Sequence, residues 1–169
     1  MKRIALGFFG VLLLGIALSY FWLQPEKLSL ETLAADRAKY DVEILRDTWG
    51  VPHILGKRDA DVAFGLAYAH AEDDFETIQQ TLLASRGMLA SIYGPDMAPA
   101  DYMIQLLRIR ERVNEKYETD LSPATRALVE GYAAGMNYFV SRYPEKALPG
   151  LFPATGKDLV AGFCLQTPM

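Results

Sequence analysis

In the body of the chain the hydrophobic positions follow first a period of two and then a helical period. Val42 and Ile44 alternate with charged neighbours, a pattern that is typical of a strand with one buried face. A second extended run covers 51–55, and its Pro52 suits the start or the edge of a strand. Because Gly50 suits a tight turn between the two runs, the pattern predicts a β-hairpin.

A long amphipathic helix is predicted to follow the hairpin. Asp59 is its expected N-cap, with Asp61 in the first turn. Arg86 and Gly87 mark its expected end, because glycine commonly follows the last helical turn. The apolar positions of this helix recur at helical spacing and form one stripe: Phe64, Tyr68, Ala71, Phe75, Ile78 and Leu82.

Three further helices are predicted toward the carboxyl end. One covers 102–113, where Tyr102, Leu106, Ile109 and Val113 are at helical spacing. A second begins at Ser122-Pro123, a hydroxyl cap followed by proline at the first helical position, and ends at Pro144. The third begins with a capping box from Thr155 to Asp158. Together these elements predict an α+β fold that is mostly helical, with an amino-terminal β-hairpin.

The first 23 residues differ in kind from the rest. Lys2 and Arg3 precede an uncharged run from Ile4 to Leu23, which is long enough to cross a bilayer as a helix. The basic flank predicts export of the remainder to the periplasm. The run is either an inner-membrane anchor or a removed signal peptide, and the lack of a small-x-small site directly after it favours the anchor. A polar spacer, 24–39, then leads to the folded part, 40–169.

Charge and cysteine content exclude several classes of function. A net charge of −4 and scattered basic residues give no reason to expect nucleic acid as a partner. Cys164 is the only cysteine, which excludes an internal disulfide and a multi-cysteine metal site. Because Phe163 and Leu165 supply no positive charge that would lower the thiol pKa, a buried thiol is favoured over a catalytic one.

One polar group on the long helix is a candidate for chemistry. His70, Asp73 and Asp74 are at i, i+3 and i+4, and so occupy neighbouring positions of one helix. A metal site would need a second histidine nearby, and His53 is distant in sequence. The favoured interpretation is a polar cluster that fixes helix ends against the sheet.

The sequence yields no complete catalytic set. His53 is a candidate general base, but a structural, hydrogen-bonded histidine is favoured. Ser85 is not in a G-x-S-x-G turn, and Ser122 is accounted for as a helix cap. We therefore assign no catalytic residue, no metal ligand and no cofactor within this chain, and its substrate-binding residues stay unassigned.

Four motifs, in this order, resemble the penicillin acylase family of N-terminal-nucleophile amidohydrolases. They are Trp49-Gly50-Val51-Pro52-His53-Ile54, Gly65-Leu66-Ala67-Tyr68-Ala69-His70-Ala71-Glu72-Asp73-Asp74, Ser85-Arg86-Gly87 and Gly131-Tyr132-Ala133-Ala134-Gly135-Met136-Asn137. We interpret seven of these residues as structural: Gly50, Val51, Pro52, His53, Gly65, Arg86 and Gly87. Gly50 is expected to take a positive φ in the turn, and Gly65 to allow close approach of helix and sheet.

The resemblance implies the alpha-chain portion of an exported precursor with an αββα fold. Such precursors cut themselves at an internal Ser, Thr or Cys, which becomes the nucleophile of a beta chain in a heterodimer. The implied substrate is a small N-acylated molecule of beta-lactam, acyl-homoserine lactone or lipopeptide type, with calcium bound by some complete enzymes. The apolar run that stops at Met169 indicates a truncated alpha chain. A non-catalytic, membrane-tethered helical module of the same fold is the alternative.

Overall fold

The computed structural model describes residues 29–166 as a mostly helical fold with one β-hairpin, which confirms the predicted α+β class. The predicted export segment, 1–23, lies outside the described residues. No helix within 29–166 is long and apolar enough to cross a membrane. The elements in chain order are α1 (Leu30–Ala34), β1 (Val42–Arg46), β2 (Pro52–Gly56), α2 (Asp59–Arg86), α3 (Leu89–Tyr93), α4 (Ala98–Leu106), α5 (Ile109–Asp120), α6 (Pro123–Arg142) and α7 (Gly156–Gln166), with 3-10 turns at Ala35–Lys39, Pro95–Met97 and Pro144–Lys146.

The carboxyl half of the predicted spacer is helical. The Ser29 hydroxyl accepts a hydrogen bond from the Thr32 N–H at 3.3 Å and caps α1. Leu33 is 4% exposed and belongs to the main hydrophobic core, where α1 packs against α6. The folded part of the chain therefore includes residues that precede the hairpin.

The hairpin forms as its pattern predicts. β1 and β2 are antiparallel, with Ile44 opposite Ile54. In the turn, Gly50 has a φ of +84°, which favours glycine. The Asp47 carboxylate accepts hydrogen bonds from the N–H groups of Trp49, at 2.8 Å, and Val51, at 2.9 Å. These bonds satisfy the backbone of the turn and fix its geometry.

Gly65 sits where the hairpin rests on α2. A Cβ added at Gly65 would lie 2.6 Å from Cγ2 of Val42 and 2.7 Å from Cγ2 of Ile54. Both distances are shorter than carbon atoms tolerate, so a side chain at this position would push the sheet away from the helix. The absence of a side chain at Gly65 thus sets the distance between α2 and the inner face of the hairpin.

The start of α2 corrects one prediction. The N-cap is Arg58, so the assignment of Asp59 was wrong by one residue. Asp61 decides the boundary, since its carboxylate accepts hydrogen bonds from the backbone N–H of Arg58, at 3.1 Å, and of Asp41, at 3.2 Å. The Arg58 guanidinium also donates to this carboxylate and lowers the pKa of Asp61 to about 2. At the other end Gly87 is the C-cap, with a φ of +62°.

A kink divides α2 near its middle. Asp74 has non-helical backbone angles, φ −150° and ψ 69°. Its carboxylate accepts a hydrogen bond from the Thr77 N–H at 3.2 Å, which is the arrangement of an N-cap for the second half of the helix. The sequence predicted one uninterrupted stripe, because neither proline nor glycine marks the kink.

The predicted helix over 102–113 is two helices. Arg108 separates α4 from α5 with a φ of +52°. Ile109 and Val113 are buried, but Tyr102 is 63% exposed and Leu106 is 57% exposed. The prediction of a single apolar stripe was therefore wrong. A helical spacing of three and four residues continues across the break in the sequence, while the backbone changes direction and turns the two halves to different surroundings.

The core lies between α2 and α6. At Gly135 an added Cβ would clash with the Phe64 carbonyl oxygen, so the two helices approach closely there. Phe139, 1% exposed, packs its ring against Phe75, with centroids 4.8 Å apart, and against Tyr143, at 4.9 Å. This core packs α2 against α6, and α7 packs against both helices.

Candidate functional site

A groove opens between α2, α6 and α7. It encloses a cavity of about 350 Å³. The side chains that line it are mostly apolar, with polar groups from a few positions: His70, Thr77, Ile78, Thr81, Leu82, Leu128, Val129, Tyr132, Met136, Asp158, Leu159 and Phe163, beside Gly162. We call this cavity the α2–α6–α7 groove. Its form, an apolar hollow with a few polar groups, is typical of small-molecule sites.

A histidine–tyrosine pair lines part of the groove. His70 Nδ1 on α2 lies 2.8 Å from the Tyr132 hydroxyl on α6. Burial raises the pKa of Tyr132, so the phenol keeps its proton at neutral pH. A neutral Tyr132 can donate to an unprotonated Nδ1 or accept from a protonated one. The pair thus offers the groove an adaptable polar contact, and it joins α2 to α6 on the amino-terminal side of the kink.

The carboxylates next to His70 in sequence have other partners. Asp73 binds Arg46 of β1, with Oδ1 and Nη2 2.9 Å apart, and Glu72 accepts from the same guanidinium at 3.0 Å. Asp74 caps the second half of α2. Asp73 therefore joins α2 to the sheet, but from the middle of the helix and not from a helix end, whereas His70 contacts another helix. Across residues 29–166 no three His, Cys, Asp or Glu side chains are grouped so as to hold a metal ion.

Asp158 lies at the start of α7 with no exposed side-chain surface. Its carboxylate accepts hydrogen bonds from Nε of Arg86 at 3.0 Å, Nη2 of Arg86 at 2.9 Å and Nη1 of Arg110 at 2.7 Å. The backbone N–H of Thr155 donates at 2.8 Å, which confirms the predicted capping box. Burial alone would raise the pKa of Asp158, but the bonds from Arg86 and Arg110 outweigh it and hold that pKa well below its ordinary value.

This network ties three helices together at the groove. Arg86 is the last residue of α2, Arg110 is in the first turn of α5, and Asp158 is in the first turn of α7. Arg86 also donates to the carbonyl oxygens of Leu151, at 2.6 Å, and Pro153, at 3.0 Å. The sequence identified Arg86 only as the end of a helix, because its partner lies 72 residues further along the chain.

The other residues considered from sequence are placed apart from one another. His53 is on the hairpin, with Nε2 3.7 Å from Asp47 and a side chain 61% exposed. The buried Ser85 hydroxyl donates to the Leu82 carbonyl at 2.9 Å. Ser122 caps α6 by accepting from the Thr125 N–H at 3.1 Å, as predicted. Each of these side chains has a local structural contact.

Cys164 corrects another prediction. The sequence favoured a buried thiol in an apolar run, but the Cys164 side chain is exposed on α7. Only one side of this helix faces the core, where Ala161 has 0% exposure. Cys164 lines a hollow together with Val113 of α5 and with Leu107, which lies between α4 and α5. An apolar run of this length does not by itself reveal which side of its helix is buried.

Comparison with known proteins identifies the family. The penicillin amidase family matches residues 41–162, which include the hairpin, the core helices and most of α7. The chain belongs to the penicillin amidase family. It is 31% identical over 133 residues to the acyl-homoserine lactone acylase QuiP of Pseudomonas fluorescens. This match covers 74% of the chain and 16% of the relative. It is 26% identical over 143 residues to penicillin G acylase of Escherichia coli, over 83% of the chain and 16% of that relative.

A solved structure supports the same assignment. The fold is similar to that of the thermostable penicillin G acylase from Alcaligenes faecalis, with a TM-score of 0.62 and 25% sequence identity. The match covers 73% of this chain and 70% of the solved chain. Both sequence relatives are much longer, and this chain spans only 16% of the length of each.

Proposed function

We propose that this chain is the helical scaffold of an exported amidohydrolase that cleaves the amide bond of N-acylated small molecules. The family match over residues 41–162 carries the proposal, because it extends over nearly all of the packed helices. Both sequence relatives described above are acylases. The reaction would transfer an acyl group from the amide nitrogen to an enzyme nucleophile and then to water.

In this proposal the nucleophile belongs to a part of the protein outside residues 29–166. The hydroxyls of Ser85 and Ser122 already serve the ends of helices, and His70 is engaged with Tyr132. A precursor that cuts itself would expose a new amino-terminal Ser, Thr or Cys, whose amine takes the proton from its own side chain. The side-chain oxygen or sulfur then attacks the amide carbonyl, the amine product leaves with the proton, and water releases the acid. The mature enzyme would be a heterodimer of this chain and a nucleophile-bearing chain.

The α2–α6–α7 groove is the part of this chain suited to an acyl group. Its cavity of about 350 Å³ is within the roughly 300–1,000 Å³ that small-molecule pockets occupy. Ile78, Leu82 and Met136 offer apolar surface to a hydrocarbon tail, while His70 and Tyr132 offer polar contacts for the amide end.

The first test is turnover by the complete protein that contains this chain. Purified enzyme should release free amine from an N-acyl-homoserine lactone or from penicillin G, as measured with an amine-reactive fluorophore. Mass spectrometry after acid quenching should find the acyl group on the new amino-terminal residue of a processed chain. A folded complete protein that is neither processed nor active on these amides would favour the non-catalytic module instead.

The second test fills the groove. A Cβ added at Gly162 would meet only Cγ2 of Thr81, at 3.8 Å, so there is room for a side chain. Gly162→Leu should therefore narrow the groove without straining the backbone. We expect KM for a decanoyl amide to rise roughly tenfold, which corresponds to a loss of about 1.4 kcal/mol in binding free energy from apolar contacts of the long acyl chain. KM for a butanoyl amide should change little. Gly162→Ala is the matched control, and an unchanged chain-length preference in Gly162→Leu would exclude the groove as the acyl site.

A further inference from the structure

A second hollow lies against α7, on a different face of that helix from the α2–α6–α7 groove. It encloses a cavity of about 440 Å³ between α7 and α5. Val160 and Cys164, one helical turn apart on α7, form one wall of this cavity. Leu159 and Gly162 of the same helix line the groove instead. We call the second cavity the α5–α7 hollow, and α7 separates it from the groove.

The α5–α7 hollow is elongated. Its residues on α5 are at i, i+3, i+4, i+7, i+8 and i+11, and so form one stripe along the helix: Ile109, Arg112, Val113, Lys116, Tyr117 and Asp120. The 12 residues of α5 span about 18 Å. Leu107, before this helix, and Leu121, directly after it, also line the hollow. A trough of this shape suits a linear hydrocarbon chain better than a compact ring system.

The floor of the hollow is apolar. Ile109, Val113 and Tyr117 are buried there and form a small hydrophobic core with Ala161 of α7. The Tyr117 hydroxyl donates to a carboxylate oxygen of Glu130, on α6, at 3.4 Å. Because the aliphatic part of this floor has no hydrogen bonds to offer, contact with an alkyl chain is the interaction that it favours.

The rim of the hollow is charged, and its charges are unevenly paired. Arg112, Lys116 and Asp120 are four residues apart on α5, and all three are exposed. Nζ of Lys116 forms an ion pair with Oδ2 of Asp120 at 3.2 Å. Among residues 29–166 Arg112 forms no ion pair, and Lys116, one turn further along, has the same charge. Since like charges at this spacing repel, an anion placed beside Arg112 would be stabilised.

We propose that the α5–α7 hollow binds a medium-chain linear carboxylic acid in its ionised form, with the alkyl chain against Val113 and Val160 and the carboxylate paired with Arg112. A guanidinium can donate two parallel hydrogen bonds to one carboxylate, which gives this pair both strength and orientation. The cavity volume is within the roughly 300–1,000 Å³ of small-molecule sites. The inference goes beyond the proposed function, because the hollow is separate from the groove and binding there requires no reaction.

Another part of the protein is a poorer occupant of the hollow. Lysine and aspartate are depleted at the centre of protein interfaces, whereas the side chains of Lys116 and Asp120 are 65% and 55% exposed. Covering them would remove water from an ion pair whose own attraction is weak. A small ligand between α5 and α7 leaves the outer side of this pair in water.

The Cys164 thiol provides a direct measure of occupancy. It is exposed, it lines the hollow, and it is the only cysteine of this chain. The complete protein is treated with iodoacetamide, and peptide mass spectrometry follows the alkylation of Cys164 alone. A ligand at about ten times its Kd leaves roughly a tenth of the sites open, so decanoate at that concentration should slow the alkylation about tenfold. Alkylation that is unchanged at every decanoate concentration below micelle formation would overturn the proposal.

Three probes with the same alkyl chain and different head groups test the charge. Decanoate should bind about fivefold more tightly than decan-1-ol, which is the upper end of what an exposed ion pair contributes. Decyltrimethylammonium, with the opposite charge, should bind more weakly than the alcohol. Equal protection of Cys164 by all three would show that the hollow accepts any alkyl chain, and would overturn the assignment to a carboxylate. Unfolding by a surfactant would expose the thiol and speed its alkylation, so it cannot imitate protection.

A pair of variants tests the role of Arg112. Arg112→Gln should weaken decanoate binding about fivefold and leave the binding of decan-1-ol unchanged. Arg142→Gln is the matched control, because Arg142 is also exposed but lies at the end of α6, outside the hollow. It should leave the binding of both probes unchanged. Equal effects of the two variants on decanoate, or none from Arg112→Gln, would contradict the proposed ion pair.

Two further results would give the hollow a different occupant. Resistance of Cys164 to alkylation in the complete protein without ligand would show that another part of the protein covers the hollow. Protection by phosphatidylglycerol vesicles, but not by decanoate, would assign the hollow to a membrane surface. Either result overturns the proposal. Decanoate protection in a complete protein that hydrolyses no acyl amide would support the binding site and reject the proposed function alone.

Discussion

Two arginine–carboxylate networks in this chain use the same chemistry in different surroundings. In one, Asp158 is completely buried and Arg86 has a side chain 14% exposed. In the other, Arg46 binds Glu72 and Asp73, whose side chains are 35% and 51% exposed. Water already stabilises the second set of charges and weakens their attraction, whereas the first set depends on its partners. Similar distances in the two networks therefore imply different energies.

The largest expected effect is that of Asp158→Asn. The amide keeps the shape of the side chain but removes the negative charge that faces Arg86 and Arg110, and it leaves a nearly buried guanidinium without its carboxylate. Breaking a buried pair in this way typically costs 3–5 kcal/mol, so we expect a loss of about 3 kcal/mol in the free energy of unfolding. Urea denaturation of the complete protein measures it. A loss below about 1 kcal/mol would show that the buried network is no stronger than the exposed one.

Acid should reduce the difference in the free energy of unfolding between the wild-type protein and Asp158→Asn. The pKa of Asp158 is held below its ordinary value in the folded chain, so the carboxylate contributes its full stability above the ordinary aspartate pKa, about 3.9. That contribution is lost as the pH falls below about 4 toward the folded-state pKa. We expect the gap between the two unfolding free energies to be constant from pH 5 to 7 and to shrink below pH 4. The variant is the necessary reference because Asp61, with a pKa of about 2, titrates in the same range.

The parts of this fold that sequence predicted are those fixed by neighbouring residues. The hairpin follows from one alternating run, a second extended run and a glycine turn, and α6 begins at the serine cap that the sequence predicts. The capping box between Thr155 and Asp158 is equally local. Each of these signals acts over a few residues, so one stretch of sequence contains all of the information that determines the element.

The features that sequence missed depend on distant partners or on unusual backbone angles. The bonds of Arg86 to Asp158 cross 72 residues, and no local pattern connects the two. The break at Arg108 uses a left-handed conformation in a residue other than glycine, which composition does not mark. The α2–α6–α7 groove likewise arises only when three helices pack, so its lining residues could not be assigned beforehand.

Arg110→Gln should have an intermediate effect. The Arg110 side chain is 45% exposed, so its loss leaves no buried charge on α5, and Asp158 keeps both bonds from Arg86. A hydrogen bond between charged groups contributes roughly 1.5–3 kcal/mol, and partial exposure places the expected loss near the lower limit, about 1.5 kcal/mol. Thermal or urea unfolding of Arg110→Gln, run in parallel with Asp158→Asn, measures this loss. A loss equal to that of Asp158→Asn would mean that Arg110, and not Arg86, dominates the network.

The smallest expected effect is that of Asp73→Asn in the exposed network. Arg46 keeps Glu72 and still donates to the Gly50 carbonyl at 2.8 Å, so the guanidinium remains bonded and solvated. Exposed pairs contribute about 0–1 kcal/mol, and we expect a loss below about 0.5 kcal/mol that disappears in 1 M salt, where charges are screened within about 3 Å. The loss from Asp158→Asn should persist in the same salt, because its charges are shielded from ions by burial. A salt-resistant loss above about 1 kcal/mol in Asp73→Asn would show that Asp73 is covered in the complete protein. The difference between the two networks would then come from what covers each of them in the complete protein, and the surface near β1 would be buried there as well.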